Sequence, residues 1–219
     1  MLKLDRAMTT ALVALGVLCM SGTAHAHGHR HRGYDHTPAI CSQLPIDPGM
    51  SQALGPLSIQ RVDCHVRMSH GYPIPDPRCT PGAINPTVSL DVLNAPGFRT
   101  RCIRNRVTTE REKAVTYRWY ALAHPRHNRG HSQICELDHL VPLELGGADT
   151  LDNIWPECGP ADGPFWKRDF KRKDLVENYL AKRVRNGKMQ LWQAQQDIAR
   201  DWTTYLPQAI HDCPFGQCR

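Results

Sequence analysis

The chain has 219 residues, a formal net charge of +6 and a hydrophobic fraction of 41%. This length predicts one domain with room for a small appendage, and the hydrophobic fraction is enough for a core in at least part of the chain. After residue 26 no stretch is long and apolar enough to span a bilayer, which excludes an integral membrane protein built from helical spans.

The first 26 residues have the organisation of a secretory signal peptide. Lys3 and Arg6 give a positive start, residues 7–20 form an apolar run, and residues 21–26 end in a small-x-small cleavage pattern. The run is shorter than the roughly 20 residues of a membrane span. The alternatives are an N-terminal anchor and lipid attachment at Cys19, which Leu18 disfavours because a small residue normally precedes that site. We expect an exported protein, periplasmic or secreted, without membrane association after cleavage.

Cysteine usage agrees with export. Eight cysteines remain after the predicted signal peptide, and an even number in an exported chain predicts disulfides. Structural zinc is the alternative, but zinc sites usually show two closely spaced cysteine pairs, and this chain has one. The pairing stays open at this level. The predicted disulfide cysteines are Cys41, Cys64, Cys79, Cys102, Cys135, Cys158, Cys213 and Cys218.

The first part of the expected mature chain has little periodicity. Residues 27–37 are rich in histidine, glycine and arginine, which predicts a disordered tail; metal binding by the histidines is the alternative. Residues 38–98 are rich in proline and glycine and hold three cysteines. We expect a segment of loops and short strands stapled by disulfides, with no helix around residues 73–77, where three prolines occur.

Regular elements are predicted over residues 99–219. A capping box at residues 109–112 begins a helix that ends before Pro125, and residues 126–133 form a polar loop. Residues 134–145 have strand-like apolar content, residues 146–149 form a turn, and residues 154–155 form a second short strand. Two amphipathic helices close the chain, one with Val176, Leu180 and Val184 at helical spacing and one running from Leu191 to Tyr205, separated by a stop at residues 186–187.

Three residues around this strand and turn have the chemistry of a hydrolytic site. Phosphodiester hydrolysis needs a base for water and a cation for the transition state. His139 titrates near neutral pH, and Asp138 supplies a hard oxygen ligand. Neighbours on a regular strand point to opposite sides, so a bend is needed if Asp138 and His139 are to face one pocket. Asn153 can donate and accept hydrogen bonds together, and so can brace the loop that follows His139.

Residues 138–147 read D-H-x-x-P-x-x-x-G-G, and residues 153–156 read N-I-W-P. This pattern resembles the HNH (ββα-metal) nuclease motif. The resemblance implies an α+β fold with a small ββα core flanked by helices. It also implies that His139 is the general base, Asp138 a metal ligand and Asn153 the residue that fixes the base. An Asp-His pair without the rest of the motif is more often a surface ion pair. The alternative interpretation of Asn153 is an ordinary turn or cap residue.

A longer resemblance, from residue 79 to residue 202, links the chain to small exported bacterial proteins with an HNH-like domain. In those proteins an asparagine stands a few residues before a Lys-Asp pair. This chain has Asp169 there, followed by Lys173-Asp174. Asp169 is therefore expected as the second metal ligand, with Asp162 and Asp174 as alternatives. If no second ligand exists, the site is degenerate.

Basic residues cluster on the predicted helix after the motif. Lys171, Arg172 and Lys173 are candidates for contact with nucleic-acid phosphates. The competing interpretation is a solvated helix face. Nothing in the sequence indicates base-specific recognition.

Together these features predict an exported, metal-dependent HNH-type endonuclease that cleaves DNA, with RNA as a further substrate, and has little sequence preference. The cofactor is expected to be one divalent ion, Mg²⁺ first, with Mn²⁺ and Zn²⁺ as alternatives. The expected organisation is a signal peptide (1–26), a histidine-rich tail (27–37), a disulfide-stapled segment (38–98) and the nuclease domain (99–219). The alternative function is a catalytically silent exported binding or metal-capture protein that retains the HNH fold. The sequence leaves the oligomeric state open.

Overall fold

A computed structural model describes residues 41–57, 61–108, 110–214 and 218. The predicted signal peptide, the histidine-rich tail and Thr109 of the predicted capping box lie outside the described residues. Within these ranges the fold is mixed α and β, with helices around three separate two-stranded antiparallel sheets. No helix in these ranges is long and apolar enough to cross a membrane.

The described part of the segment before residue 98 contains the loops and short strands that its composition predicts, and also one short helix that it does not predict. Strand β1 (Gln52–Ala53) pairs with β4 (Ala83–Ile84), and β2 (Arg67–Ser69) pairs with β3 (Tyr72–Ile74). Helix α1 (Leu90–Asn94) begins after Ser89, whose side chain accepts a hydrogen bond from the amide of Val92.

The helix expected before Pro125 is divided into two short ones. These are α2 (Glu110–Lys113) and α3 (Val115–Trp119). Ala121 has φ of +50°, which takes the chain out of the helical region before Pro125 is reached. A single turn of 3₁₀ helix (Gly130–Ser132) interrupts the predicted polar loop.

A hairpin and a long helix follow. Strand β5 (Cys135–His139) pairs with β6 (Ile154–Cys158), and the register runs from Cys135 opposite Cys158 to His139 opposite Ile154. Helix α4 (Asp169–Arg185) comes next, and the residue after its cap, Gly187, has φ of +66°, as the predicted stop requires.

Three further helical elements close the chain. Helix α5 (Leu191–Asp201) ends earlier than predicted, because Trp202–Tyr205 form a turn of 3₁₀ helix. A third helix, α6 (Leu206–Asp212), follows it. The main hydrophobic cluster joins the apolar faces of α4, α5 and α6. Its most buried members include Val176, Leu180, Ala194, Ile198 and Trp202.

All eight predicted cysteines form disulfides. The pairs are Cys41–Cys102, Cys64–Cys79, Cys135–Cys158 and Cys213–Cys218. None of these thiols remains for zinc, so the disulfide prediction is confirmed over the zinc alternative. Four disulfides are consistent with an oxidising compartment.

Candidate active site

The loop between β5 and β6 folds back tightly on itself and positions the end of β5. Gly146 has φ of +75°, and a Cβ at Gly147 would lie 1.8 Å from the carbonyl oxygen of Val141. The first position favours glycine because of its left-handed backbone, and the second admits only glycine because the backbones approach so closely. The Gly-Gly pair in the motif is therefore a requirement of this loop.

Asn153 ties the same loop together from inside. Its Oδ1 accepts hydrogen bonds from the amides of Val141 at 2.9 Å and Ala83 at 3.2 Å. Its Nδ2 donates to the carbonyl oxygens of Val141 at 2.9 Å and Ala148 at 2.8 Å. The side chain is fully buried, and it holds both ends of the turn that follows His139. Asn153 thus acts through the backbone of the loop and is a positioning residue.

His139 is the last residue of β5, and its ring is held by a carboxylate from the loop. The Nε2 atom of His139 lies 2.7 Å from Oδ1 of Asp149. Asp149 also accepts from the amide of Asn105 at 2.8 Å, and its Oδ1 lies 3.0 Å from Nζ of Lys113. Asp149 is fully buried, so these partners are what keep its charge inside the protein.

The electrostatics of this pair favour a neutral imidazole with a defined tautomer. Burial acts to raise the pKa of Asp149, but the His139 ring and Lys113 outweigh it and bring that pKa down to about 2. An ionised carboxylate only accepts hydrogen bonds, so Nε2 of His139 carries the proton and donates it. Burial lowers the pKa of His139, and the hydrogen bond to Asp149 opposes this effect. The Nδ1 atom is thereby left as the basic nitrogen of the ring.

Asp138 and His139 border one cleft of about 220 Å³, which we call the catalytic cleft after the role proposed for it below. The chain bends at Leu140, after both residues have paired in the regular strand. The cleft is also lined by four further carboxylates and one arginine. These are Glu136, Glu144, Asp174, Glu177 and Arg104.

The carboxylate of Asp138 is already engaged by a cation of the chain itself. Nζ of Lys173 lies 2.6 Å from Oδ2 of Asp138, donates to the carbonyl oxygen of His139 at 2.8 Å and also contacts Glu177. The ammonium group therefore donates to two of these oxygens and makes a close ion pair with Asp138, whose Oδ2 atom has no hydrogen-bond partner in the described structure. Lys173 is fully buried. Burial acts to lower its pKa, but the carboxylates of Asp138, Glu177 and Glu157 outweigh this effect and raise it.

The buried acids around Lys173 outnumber the positive charge available to them. Glu157 has no exposed surface, and neither of its carboxyl oxygens has a hydrogen-bond partner within the described part of the chain. Burial, followed by repulsion from Asp138, raises the pKa of Glu157 well above its ordinary value. Burial also raises the pKa of Glu177 well above the ordinary value, against the opposing effect of Lys173. The cluster therefore favours the protonated form of these two acids more than water does.

The structure does not bring Asp169 to Asp138. The amide of Asp169 donates to the carbonyl oxygen of Gly159 at 2.9 Å, just beyond the Cys135–Cys158 end of the hairpin. Asp138 lies three residues further along β5 than Cys135, a backbone separation of about 10 Å at roughly 3.4 Å per residue. Two ligands of one Mg²⁺ ion each lie about 2.1 Å from it. Burial raises the pKa of Asp169 to about 6, the behaviour of an acid without a cation beside it.

Asp162 and Asp174 are the alternatives to Asp169 as a second ligand of a divalent ion. Of the two alternatives to Asp169, Asp174 borders the catalytic cleft, whereas Asp162 is an exposed loop residue. Asp174 lies 2.7 Å from Nζ of Lys171. Across the described ranges, no group of three or more histidine, cysteine, aspartate or glutamate residues has the geometry to hold a metal ion. The side chains as arranged do not fit a divalent ion at Asp138, because Lys173 fills that position.

The predicted phosphate-binding residues on α4 have different environments. Lys171 and Arg172 are partly exposed, and Lys171 is paired with Asp174. Lys173 is buried and its ammonium group contacts oxygens inside the protein, which disfavours the predicted contact with nucleic acid. A lysine in a basic run gives no sequence signal that separates this buried position from its exposed neighbours.

The sequence does not predict four of the charged residues around His139 and Lys173 as members of the site. These are Asp149, Lys113, Glu157 and Glu177. Asp149 belongs to the turn predicted after the Gly-Gly pair, and its position ten residues after His139 is the one signal that could have suggested a partner. Lys113 comes from a different segment, and only the tertiary fold brings it to Asp149.

Comparison of the chain with protein-family models, with curated proteins and with solved structures gives no match.

Proposed function

We propose that the protein is an exported endonuclease of the HNH type that hydrolyses phosphodiester bonds in DNA, and in RNA as a further substrate. The observation that carries the proposal is the buried His139 ring, oriented by ionised Asp149, at the edge of the catalytic cleft. The order of the elements supports it: a hairpin with the Gly-Gly loop between its strands is followed by a helix, and the HNH resemblance implies the same order. The four disulfides support export.

In this proposal His139 is the general base. Its Nδ1 atom removes a proton from a water molecule while the water oxygen attacks phosphorus. The bond between phosphorus and the 3′ oxygen breaks, and the products are a 5′-phosphate and a 3′-hydroxyl, with the leaving oxygen taking a proton from solvent. Asp149 keeps the ring in the required tautomer and stabilises the imidazolium that forms. Asn153 and the two glycines keep the loop in place.

Arg104 is the cation that faces the cleft. It is exposed and borders the cleft beside His139, whereas Lys173 is buried and its ammonium group already contacts oxygens inside the protein. A guanidinium group can donate two parallel hydrogen bonds to phosphate oxygens, so Arg104 can hold the scissile phosphate and offset the charge that develops on it. No step in this scheme passes through a divalent ion, because the residues that the structure describes do not assemble a ligand set for one.

The experiment is cleavage of supercoiled plasmid by the purified, oxidised mature protein. Wild type and His139→Ala are compared with Mg²⁺, with Mn²⁺, with Zn²⁺ and with EDTA. Nicking by wild type and its loss in His139→Ala support the proposal. Activity that disappears with EDTA would show that a metal is needed, and that the ligands rearrange around it. No cleavage of DNA or RNA under any condition contradicts the proposal.

One observation favours the second candidate, a catalytically silent binding protein. The Lys173 ammonium neutralises the carboxylate at the position where the HNH resemblance implies a metal ligand. A silent protein would have no activity for His139→Ala to remove. Metal capture by residues 27–37 would then be measured directly, by titration of Zn²⁺ into the full mature chain and into a chain lacking those residues.

A further inference from the structure

A second groove opens beside the catalytic cleft. It has a volume of about 450 Å³ and is lined by residues of α2, α3, the 124–133 loop and the start of β5. Arg104 and Glu136 border both the groove and the catalytic cleft, so the two adjoin. We call it the arginine groove, after Arg104, Arg126 and Arg129.

The arginine groove is strongly positive. Among the described residues that line it, Glu136 is the one carboxylate. Arg104, Arg126 and Arg129 are all exposed, and none forms an ion pair with an acid in the ranges that the structure describes. Three arginines without acidic partners around one concave surface produce a local positive potential that attracts a polyanion.

The loop that presents two of these arginines is braced. The Oδ1 atom of Asn128 accepts hydrogen bonds from the amides of Ile134 at 2.8 Å and Cys135 at 3.0 Å. Its Nδ2 atom donates to the carbonyl oxygen of Cys135 at 2.6 Å. Cys135 is in turn bonded to Cys158 across the hairpin. Because the loop is anchored to β5, less ordering is needed when Arg126 and Arg129 bind a ligand.

The helix face predicted from sequence is less well suited to this role. Lys173 is buried, and Lys171 is paired with Asp174. Of the three predicted phosphate contacts, Arg172 alone is left without an acidic partner in the described structure, and its guanidinium lies 5.3 Å from the ring centre of Trp166. The arginine groove therefore offers more unpaired positive charge, and it adjoins the cleft that His139 borders.

We propose that the arginine groove binds the phosphodiester backbone of the nucleic-acid strand whose scissile bond lies in the catalytic cleft. The guanidinium groups of Arg126 and Arg129 contact phosphates next to the scissile one, and Arg104 lies at the junction. The identity of the strand rests on the proposed function, whereas the location of the binding surface rests on the groove itself. Contacts to phosphate carry no sequence information, in keeping with low sequence preference.

The test is binding of a fluorescein-labelled single-stranded oligonucleotide, and of the same sequence as a duplex, followed by fluorescence anisotropy over a range of salt concentrations. All proteins carry His139→Ala and are measured in EDTA, so that the probe stays intact. The groove variant adds Arg126→Ala and Arg129→Ala. The matched control adds Arg185→Ala and Lys188→Ala, which remove the same charge from exposed positions outside the groove and the cleft.

We expect the groove variant to bind at least about tenfold more weakly than the control at moderate salt. Because two phosphate contacts are lost, its plot of log K against log salt should also be shallower than that of the control. The expected difference in slope is about 1.4 for single strands or about 1.8 for duplex, at about 0.7 and 0.9 per phosphate. Equal affinity for the two variants would overturn the proposal, because it would show dependence on net charge alone. Unfolding midpoints of both variants confirm that each is folded.

This test separates the arginine groove from the nuclease. If wild type cleaves nucleic acid and the groove variant binds like the control, the groove assignment fails and the proposed function stands. If the groove variant loses affinity while wild type cleaves nothing, the groove assignment stands and the protein is a nucleic-acid-binding protein without nuclease activity.

Discussion

Replacing Asn153 with alanine tests how the loop after His139 is held. The change removes four hydrogen bonds at a fully buried position and leaves two amides and two carbonyl groups without their partner. At a net value of about 1 kcal/mol each, the loss of unfolding free energy is about 4 kcal/mol. For a chain of this size this corresponds to a fall in Tm of roughly 8–16 °C.

Guanidinium unfolding of the oxidised protein measures this difference directly. Asn178→Ala is the matched control, because Asn178 is exposed and makes a single side-chain hydrogen bond, to the carbonyl oxygen of Asp174. We expect the control to stay within about 0.5 kcal/mol of wild type. If Asn153→Ala also unfolds within about 1 kcal/mol of wild type, the loop does not depend on this side chain and the reasoning is refuted.

Three other substitutions have expected outcomes. The raised pKa of Glu157 gives stability that is present below its ordinary pKa of 4.5 and is lost as pH rises through the folded value; Glu157→Gln should therefore lose less unfolding free energy than wild type as pH rises above 4.5, and parallel pH profiles would contradict this. Lys173→Met leaves the Asp138 and Glu177 carboxylates without their cation and should cost about 3–5 kcal/mol in guanidinium unfolding; an unchanged midpoint would show that the ion pairs are dispensable. Asp149→Asn should lower the single-turnover cleavage rate by about 10²-fold or more with little change in oligonucleotide affinity, and an equal loss of both would indicate a folding defect instead.

The elements with strong local signals could be predicted from sequence. The buried stripe of Val176, Leu180 and Val184 placed α4, and the Gly-Gly pair placed the turn between β5 and β6. The cysteine count indicated disulfides but not their pairing, because pairing depends on which loops meet in space. The helix before Pro125 was predicted too long, since the left-handed backbone at Ala121 has no clear signal in a non-glycine residue.

The residues of the candidate site also divide into those that local sequence predicts and those that depend on tertiary packing. Asp138, His139 and Asn153 lie within one motif, so their local arrangement follows from a hairpin and its loop. Asp149 depends on how the loop folds back, and Lys173 depends on how α4 packs against the hairpin. Side-chain pairing across packed elements decides whether an acid is a candidate metal ligand or half of an ion pair. Sequence spacing carries little information about that choice, as the placement of Asp169 shows.

The most direct test of the central claim is the single-turnover rate of cleavage of a labelled oligonucleotide by wild type and by His139→Ala, with circular dichroism confirming that both are folded. General-base catalysis contributes about 10²–10⁴-fold, so His139→Ala should be slower by at least about 10²-fold. The wild-type rate should rise with pH and level off below the ordinary histidine pKa of 6.5, because burial lowers the pKa of His139. Cleavage by His139→Ala at the wild-type rate would contradict the assignment of His139 as the base.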